Sequence, residues 1–151
     1  DSFGKLTKTS STIKNNLKTW LEQYRMINDT IDILDPLIIN IGMDFVIKLV
    51  PGANRNEVLG AAIEALTLAY SEGFFIAEKL SISEAYSTLN KVSGILDVIK
   101  IKFNNKTGGN YSTVGFNINK NLSPEGDALI APQNAIFEIK YPSVDIKGKV
   151  R

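Results

Sequence analysis

No cysteine and no histidine occur among the 151 residues. The first absence excludes a disulfide framework and thiolate chemistry. The second removes the commonest general base, the commonest zinc ligand and the usual triad geometry. Charge of one sign is also lacking: 17 Lys and Arg against 16 Asp and Glu leave a formal net charge of +1. The lysines are scattered, and the C-terminal Lys140, Lys147, Lys149 and Arg151 make only a weak basic cluster. Nucleic acid and anionic membranes call for a concentrated positive field, so neither is expected as a partner. No apolar run approaches about 18 residues without a charge, so no membrane span is expected. No signal peptide is visible and the first residue is Asp1, so the chain reads as the C-terminal part of something longer.

Sites for cofactors and metals are scarce as well. Gly108-Gly109 lacks the Lys-Ser/Thr and the strand-to-helix setting of a phosphate loop. Asp29, Asp32 and Asp35 lie close together, but Ile31, Ile33 and Leu34 between them are apolar, and calcium-loop spacing is missing. Glu57 and Glu64, about two turns apart, are the other carboxylates that catalysis could use; solvated or capping roles account for all five. The sequons at Asn28, Asn105, Asn110 and Asn121 are what chance yields in a chain rich in Asn, Ser and Thr. The expectation is therefore no enzyme, no cofactor and no metal.

What is present is a globular composition, 44% hydrophobic, long enough for one domain spanning 1–151 with a real core. The clearest signal is an alternation at 37–50. Leu37, Ile39, Ile41, Met43, Phe45, Ile47 and Leu49 share one face, and Ile38, Asn40, Gly42, Asp44, Val46 and Lys48 the other. Period two over that length predicts a strand with one buried and one half-open face, as in a sheet covered by helices on one side.

Upstream, a polar arm at 1–9 leads to Ser10, Ser11 and Thr12, any of which can cap a helix. Ile13, Leu17, Trp20, Leu21, Tyr24 and Ile27 then recur at helical spacing, opposite Lys14, Asn15, Lys18, Glu22 and Gln23. Trp20 is either core or the anchor of a helix that packs on a partner.

Downstream of Pro51-Gly52, Asn54 with Glu57 forms a capping-box pattern for a helix to about 71, closed by Gly73. A short extended piece is expected at 74–77 and a second helix at 82–92, stopped by Gly94. Strands follow at 95–103, 111–118 and 135–141, separated by the loop 104–110 and an irregular stretch at 119–134. Pro142 breaks the last of these, and Val144, Ile146 and Val150 suit a terminal strand or arm.

The expected fold is α+β: a two-layer sheet with helices on one face, preceded by an amphipathic N-terminal helix and followed by a strand-rich tail. Its parts are an arm and helix at 1–30, the sheet and two helices at 31–105, and loops and C-terminal strands at 106–151.

The order and spacing of several segments resemble a known family. These are Ile33-Leu34-Asp35-Pro36, the strand with Asp44, the helix after Pro51-Gly52, Leu80-Ser81-Ile82-Ser83, and Val92-Ser93-Gly94-Ile95. With Tyr24-Arg25-Met26-Ile27 and Glu138-Ile139-Lys140-Tyr141-Pro142, they resemble the baseplate J-like family of contractile phage tails, most closely the C-terminal part of a T-even-type baseplate wedge subunit. The resemblance implies a structural virion protein, assembled in the host cytoplasm into the tail baseplate. Its partners would be other wedge proteins and itself, most simply as a symmetric dimer. The family offers no catalytic residues to transfer.

Aromatic and apolar positions beyond the needs of one sheet face suggest interface residues: Trp20 and Tyr24 on the helix, and Phe137, Ile139 and Tyr141 on the last strand. Two other classes stay open. A small-ligand-binding or regulatory α+β domain would have a closed pocket lined by the helix face. A tail-associated carboxylate hydrolase would have an acidic cleft.

Overall fold

A computed structural model describes residues 5–151. The first four residues of the expected polar arm lie outside the described residues. The chain divides into two compact units, one ending at Pro36 and one running Leu37–Arg151, where sequence reading expects a single domain with its sheet portion starting at 31.

The first unit contains helix α1 (Ser11–Leu21), continued by a 3-10 turn at Glu22–Tyr24. Ser10 is the N-cap, its hydroxyl accepting from the Ile13 amide at 3.4 Å. The segment after Asn28, whose φ of 100° turns the chain, returns along the polar side of α1. Lys14 Nζ meets Asp35 at 2.7 Å, and Lys18 Nζ approaches Asp32 at 3.9 Å. The bond from Lys14 holds the Asp35 carboxyl below its ordinary pKa, helped by the Thr9 amide.

The second unit is a mixed sheet backed by helices. Strand β1 (Leu37–Leu49) runs through its centre. Helix α2 (Arg55–Ala69) follows, capped by Asn54, whose side chain accepts from the Asn56 amide. A two-residue strand β2 (Leu80–Ser81) leads into α3 (Ile82–Asn90), capped by Ser81. Gly94, at φ 92°, sits against Val58 and turns the chain into β3 (Ile95–Lys106), which pairs antiparallel with β1. β4 (Ala128–Leu129) pairs with β2.

The other edge of β1 is shared. β5 (Ala135–Glu138) lies parallel to its first residues and β6 (Ile146–Val150) parallel to Met43–Ile47. The one-turn helix α4 (Pro142–Asp145) joins them and takes up the extra chain. β5 therefore stops at Glu138, short of the expected 141.

The odd face of β1 is the core. Ile39, Ile41, Met43, Phe45 and Ile47 are buried with Val58, Ala62 and Leu66 of α2 and Ala85 and Leu89 of α3. α2 packs beside β6 and α3 beside β3. Leu37, at the open end of the strand, is exposed, so the buried run begins two residues later than the alternation predicts.

Two expected elements do not form. Residues 74–77 are a turn, with Ala77 at φ 62°. Residues 111–118 make no strand, because side chains take the amides that a ladder would use. The Ser112 amide donates to Asn40 Oδ1 at 2.7 Å and the Phe116 amide to Asn105 Oδ1 at 2.8 Å. Val114, Phe116 and Ile118 still pack against the core, so the alternation is real although the pairing is not.

Candidate interaction surfaces

Three surfaces stand out. The first is the apolar stripe of α1. Its own unit buries none of the helix. Trp20 is 53% exposed and Tyr24 70%, their rings 5.0 Å apart and inclined at 56°. Ile13, Leu17, Met26 and Ile27 extend the exposed patch. The polar side of the same helix is occupied by the returning chain through Lys14 and Lys18. The Asp cluster is thereby accounted for. Asp35 and Asp32 pair with those lysines, and Asp29 accepts from the Met26 amide at 3.3 Å.

The second surface is the open face of the sheet, which has two halves. Around Asn40 and Gly42 it is closed over by the loop after β3. Asn40, 1% exposed, donates to Glu138 Oε2 at 2.7 Å while accepting from Ser112. Asn105 donates to the Asn40 carbonyl at 3.0 Å. Gly42 leaves the space that the side chains of Asn104 and Lys106 cross. A Cβ there would stand 2.5 Å from Lys106 Cε and 2.7 Å from Asn104 Oδ1.

Beyond Gly42 the same face is open and basic. Register sets Lys102 and Lys147 on either side of Asp44, and Lys100 and Lys149 on either side of Val46. These residues line a groove of about 320 Å³. All four lysines are exposed, and among the described residues none lies within ion-pair distance of a carboxylate. Asp44 is oriented by Asn104 Nδ2 at 2.8 Å.

The scattered lysines of the sequence thus become one patch. Reading the chain linearly misses it, because Lys100 and Lys102 are distant in sequence from Lys147 and Lys149. The signal that could have found it is the repeated Lys-X-Lys on two strands flanking one centre. Lys140 stays outside the patch and donates to the Asn110 carbonyl at 2.6 Å.

The third surface is a cleft of about 530 Å³ near Tyr111, Tyr141, Asn110 and Val144. Tyr111 Oη donates to Asp145 Oδ1 at 2.6 Å, and the Tyr141 amide donates to Asp145 Oδ2 at 2.8 Å. The Asp145 carboxylate accepting its proton pushes the Tyr111 phenol up to about 12, with loss of hydration adding to the effect. Asp145 itself is 1% exposed, so this arrangement fixes α4 more than it offers a reactive group.

The five interface candidates therefore separate. Trp20 and Tyr24 are exposed on one unit. Phe137 is 1% exposed and sits edge-on to Phe74 and Phe116, so it belongs to its own chain's core and not to a docking surface. Ile139 is partly buried against that core, and Tyr141 is half-buried against Tyr111. The parity of a short strand does not tell whether its apolar face meets its own helices or a second chain, and here Phe137 meets its own core. Glu57 and Glu64 lie on the exposed side of α2, opposite Val58, Ala62 and Leu66. No protein-family model matches this chain, and no curated protein matches it.

Proposed function

We propose that this chain is a structural, non-enzymatic assembly component, a self-associating piece of the baseplate-wedge kind that its sequence resembles. The observation that carries the reading is α1, an amphipathic helix whose stripe of Ile13, Leu17, Trp20 and Tyr24 stays 43–70% exposed, with no residue of the helix buried. A segment of this length cannot build a core by itself. A contiguous apolar patch with an aromatic pair at its centre is the usual mark of a protein contact. The occupant we assign is a second copy, through a two-fold contact in which each stripe faces the other. Other wedge proteins of a contractile tail baseplate would occupy further surfaces, after assembly in the host cytoplasm.

The carboxylates support a structural reading. Asp35 ties the returning chain to α1 through Lys14, Asp29 and Asp32 make exposed local contacts, and Asp145 holds α4. Sedimentation velocity at micromolar concentration in about 1 M salt, where contacts between charged surfaces are screened, tests the proposal. The expected species is a dimer of the 16.6 kDa chain. Trp20→Ala with Tyr24→Ala should shift it to monomer while the far-UV spectrum keeps its sheet signature. A wild-type chain that stays monomeric throughout would refute it.

A further inference from the structure

We propose that the basic groove on the open sheet face receives helix α2 of another copy, giving a head-to-tail contact in addition to any two-fold one. This rests on the self-associating reading above but on different residues.

The groove presents two parallel rows, Lys100–Val46–Lys149 and Lys102–Asp44–Lys147. With adjacent strands about 4.8 Å apart, the two lysine backbones of a row stand roughly 10 Å from each other. The exposed side of α2 carries Glu57, Gly60, Ala61, Glu64 and Leu68. Glu57 and Glu64 are seven residues apart in one helix, so about 10.5 Å along its axis. The rise between the two glutamates thus matches the separation of the two lysine backbones across β1.

Gly60 and Ala61 lie between the carboxylates, and the space beside Gly60 is open, with nothing within 4 Å of where its Cβ would stand. The helix backbone can therefore come down over Val46 while Glu57 and Glu64 reach Lys100 and Lys149. The charge pattern argues against a nucleic acid in the same place. Asp44 sits in the middle of the second row and would repel a phosphate. The groove also has no arginine and no exposed ring on which a base could stack.

Lysines on edge strands also guard against unwanted strand pairing. That role alone requires no acidic partner at matching spacing. Groove and helix lie on opposite sides of the sheet, so one pair of copies cannot make the contact reciprocally, and it builds rings or filaments.

The test uses the full chain carrying Trp20→Ser to silence the α1 stripe. Onto this parent go either Lys100→Glu with Lys149→Glu, or Glu57→Gln with Glu64→Gln, all at exposed positions. At about 0.01 M salt the parent should associate, and at about 1 M, where the Debye length falls from ~30 to ~3 Å, it should dissociate. Each double variant alone should be monomeric. Mixed one to one, they should form a species of twice the chain mass and nothing larger, because only one intact groove and one intact helix remain per pair.

A mixture that stays monomeric, or a double variant that associates like the parent, overturns the proposal. So does a monomeric parent, including one that retains a duplex DNA oligonucleotide instead. If the wild type associates and the Trp20→Ser parent does not, this inference fails and the two-fold reading stands. If the two associate equally, the two-fold reading fails, and the one-to-one mixture of the double variants decides this inference.

Discussion

Phe45 and Gly148 face each other across the β1–β6 pairing, and their coupling can be worked out from the structure. The Phe45 ring occupies the space where a side chain on Gly148 would sit. A Cβ there would stand 2.5 Å from Phe45 Cζ, 2.7 Å from Cε2 and 2.8 Å from Leu59 Cδ2. Carbon atoms rest at about 3.5–4.0 Å, so a methyl group cannot enter without moving the ring or the strand. Gly148 has no positive φ, so its backbone accepts alanine and only the space is refused.

Phe45→Ala should cost about 3–5 kcal/mol, since Phe45 is fully buried at the centre of the core. Gly148→Ala alone should cost about 1–3 kcal/mol from overpacking, less the ~0.4–1 kcal/mol gained by restricting the unfolded chain. In the Phe45→Ala background the methyl meets a cavity, and the second change should become neutral or favourable. The predicted coupling is about 1–3 kcal/mol, well above the ~0.5 kcal/mol scatter of independent sites.

Urea unfolding followed by far-UV circular dichroism measures it. Trp20 fluorescence does not serve, because that residue reports on the other unit. Should Phe45→Ala fail to fold, Phe45→Leu removes less of the ring and keeps the cycle measurable. Additivity within error would refute the packing of β6 on the Phe45 ring. A near-neutral Phe45→Ala would refute the register of β1.

The remaining predictions concern the polar groups and the stripe. Asn40→Ala should cost about 1.5–3 kcal/mol in urea unfolding, since it takes a hydrogen bond from the Glu138 carboxylate and leaves the Ser112 amide without its acceptor. Amide exchange of Ser112 and Phe116 should accelerate with it, and unchanged protection would mean that the loop holds without Asn40. Tyr111 sets an alkaline limit. Its folded pKa of about 12 lies above the ordinary 10.0, so its stabilisation is complete below pH 10 and is lost as pH rises through 12. Tyr111→Phe should flatten that part of a stability-versus-pH profile, and an unchanged slope there would exclude the Asp145 bond as its cause. Trp20→Ala with Tyr24→Ala should abolish the dimer without changing the midpoint of the sheet-bearing unit; a lowered midpoint would make those rings part of a fold instead of a contact.

Local signals in the chain determined much of the second unit. The alternation at 37–50 encodes β1, because side chains on a strand point to opposite faces whatever lies around it. Asn54 and Ser81 encode the starts of α2 and α3, because a capping oxygen acts on amides two or three residues away. The stripe of α1 is equally legible, although whether anything covers it depends on surfaces outside the helix. Other features are invisible at short range. Residues 111–118 alternate like a strand, yet Asn40 and Asn105 bond their amides, and those two side chains come from elsewhere in the chain. Phe137 looks the same in sequence whether its face meets its own helices or a partner. The basic groove exists only because β3 and β6 flank β1 in one particular register, which brings Lys100 and Lys102 beside Lys147 and Lys149. Charge adds up over space and not along the chain, so only the tertiary structure could turn scattered lysines into a surface.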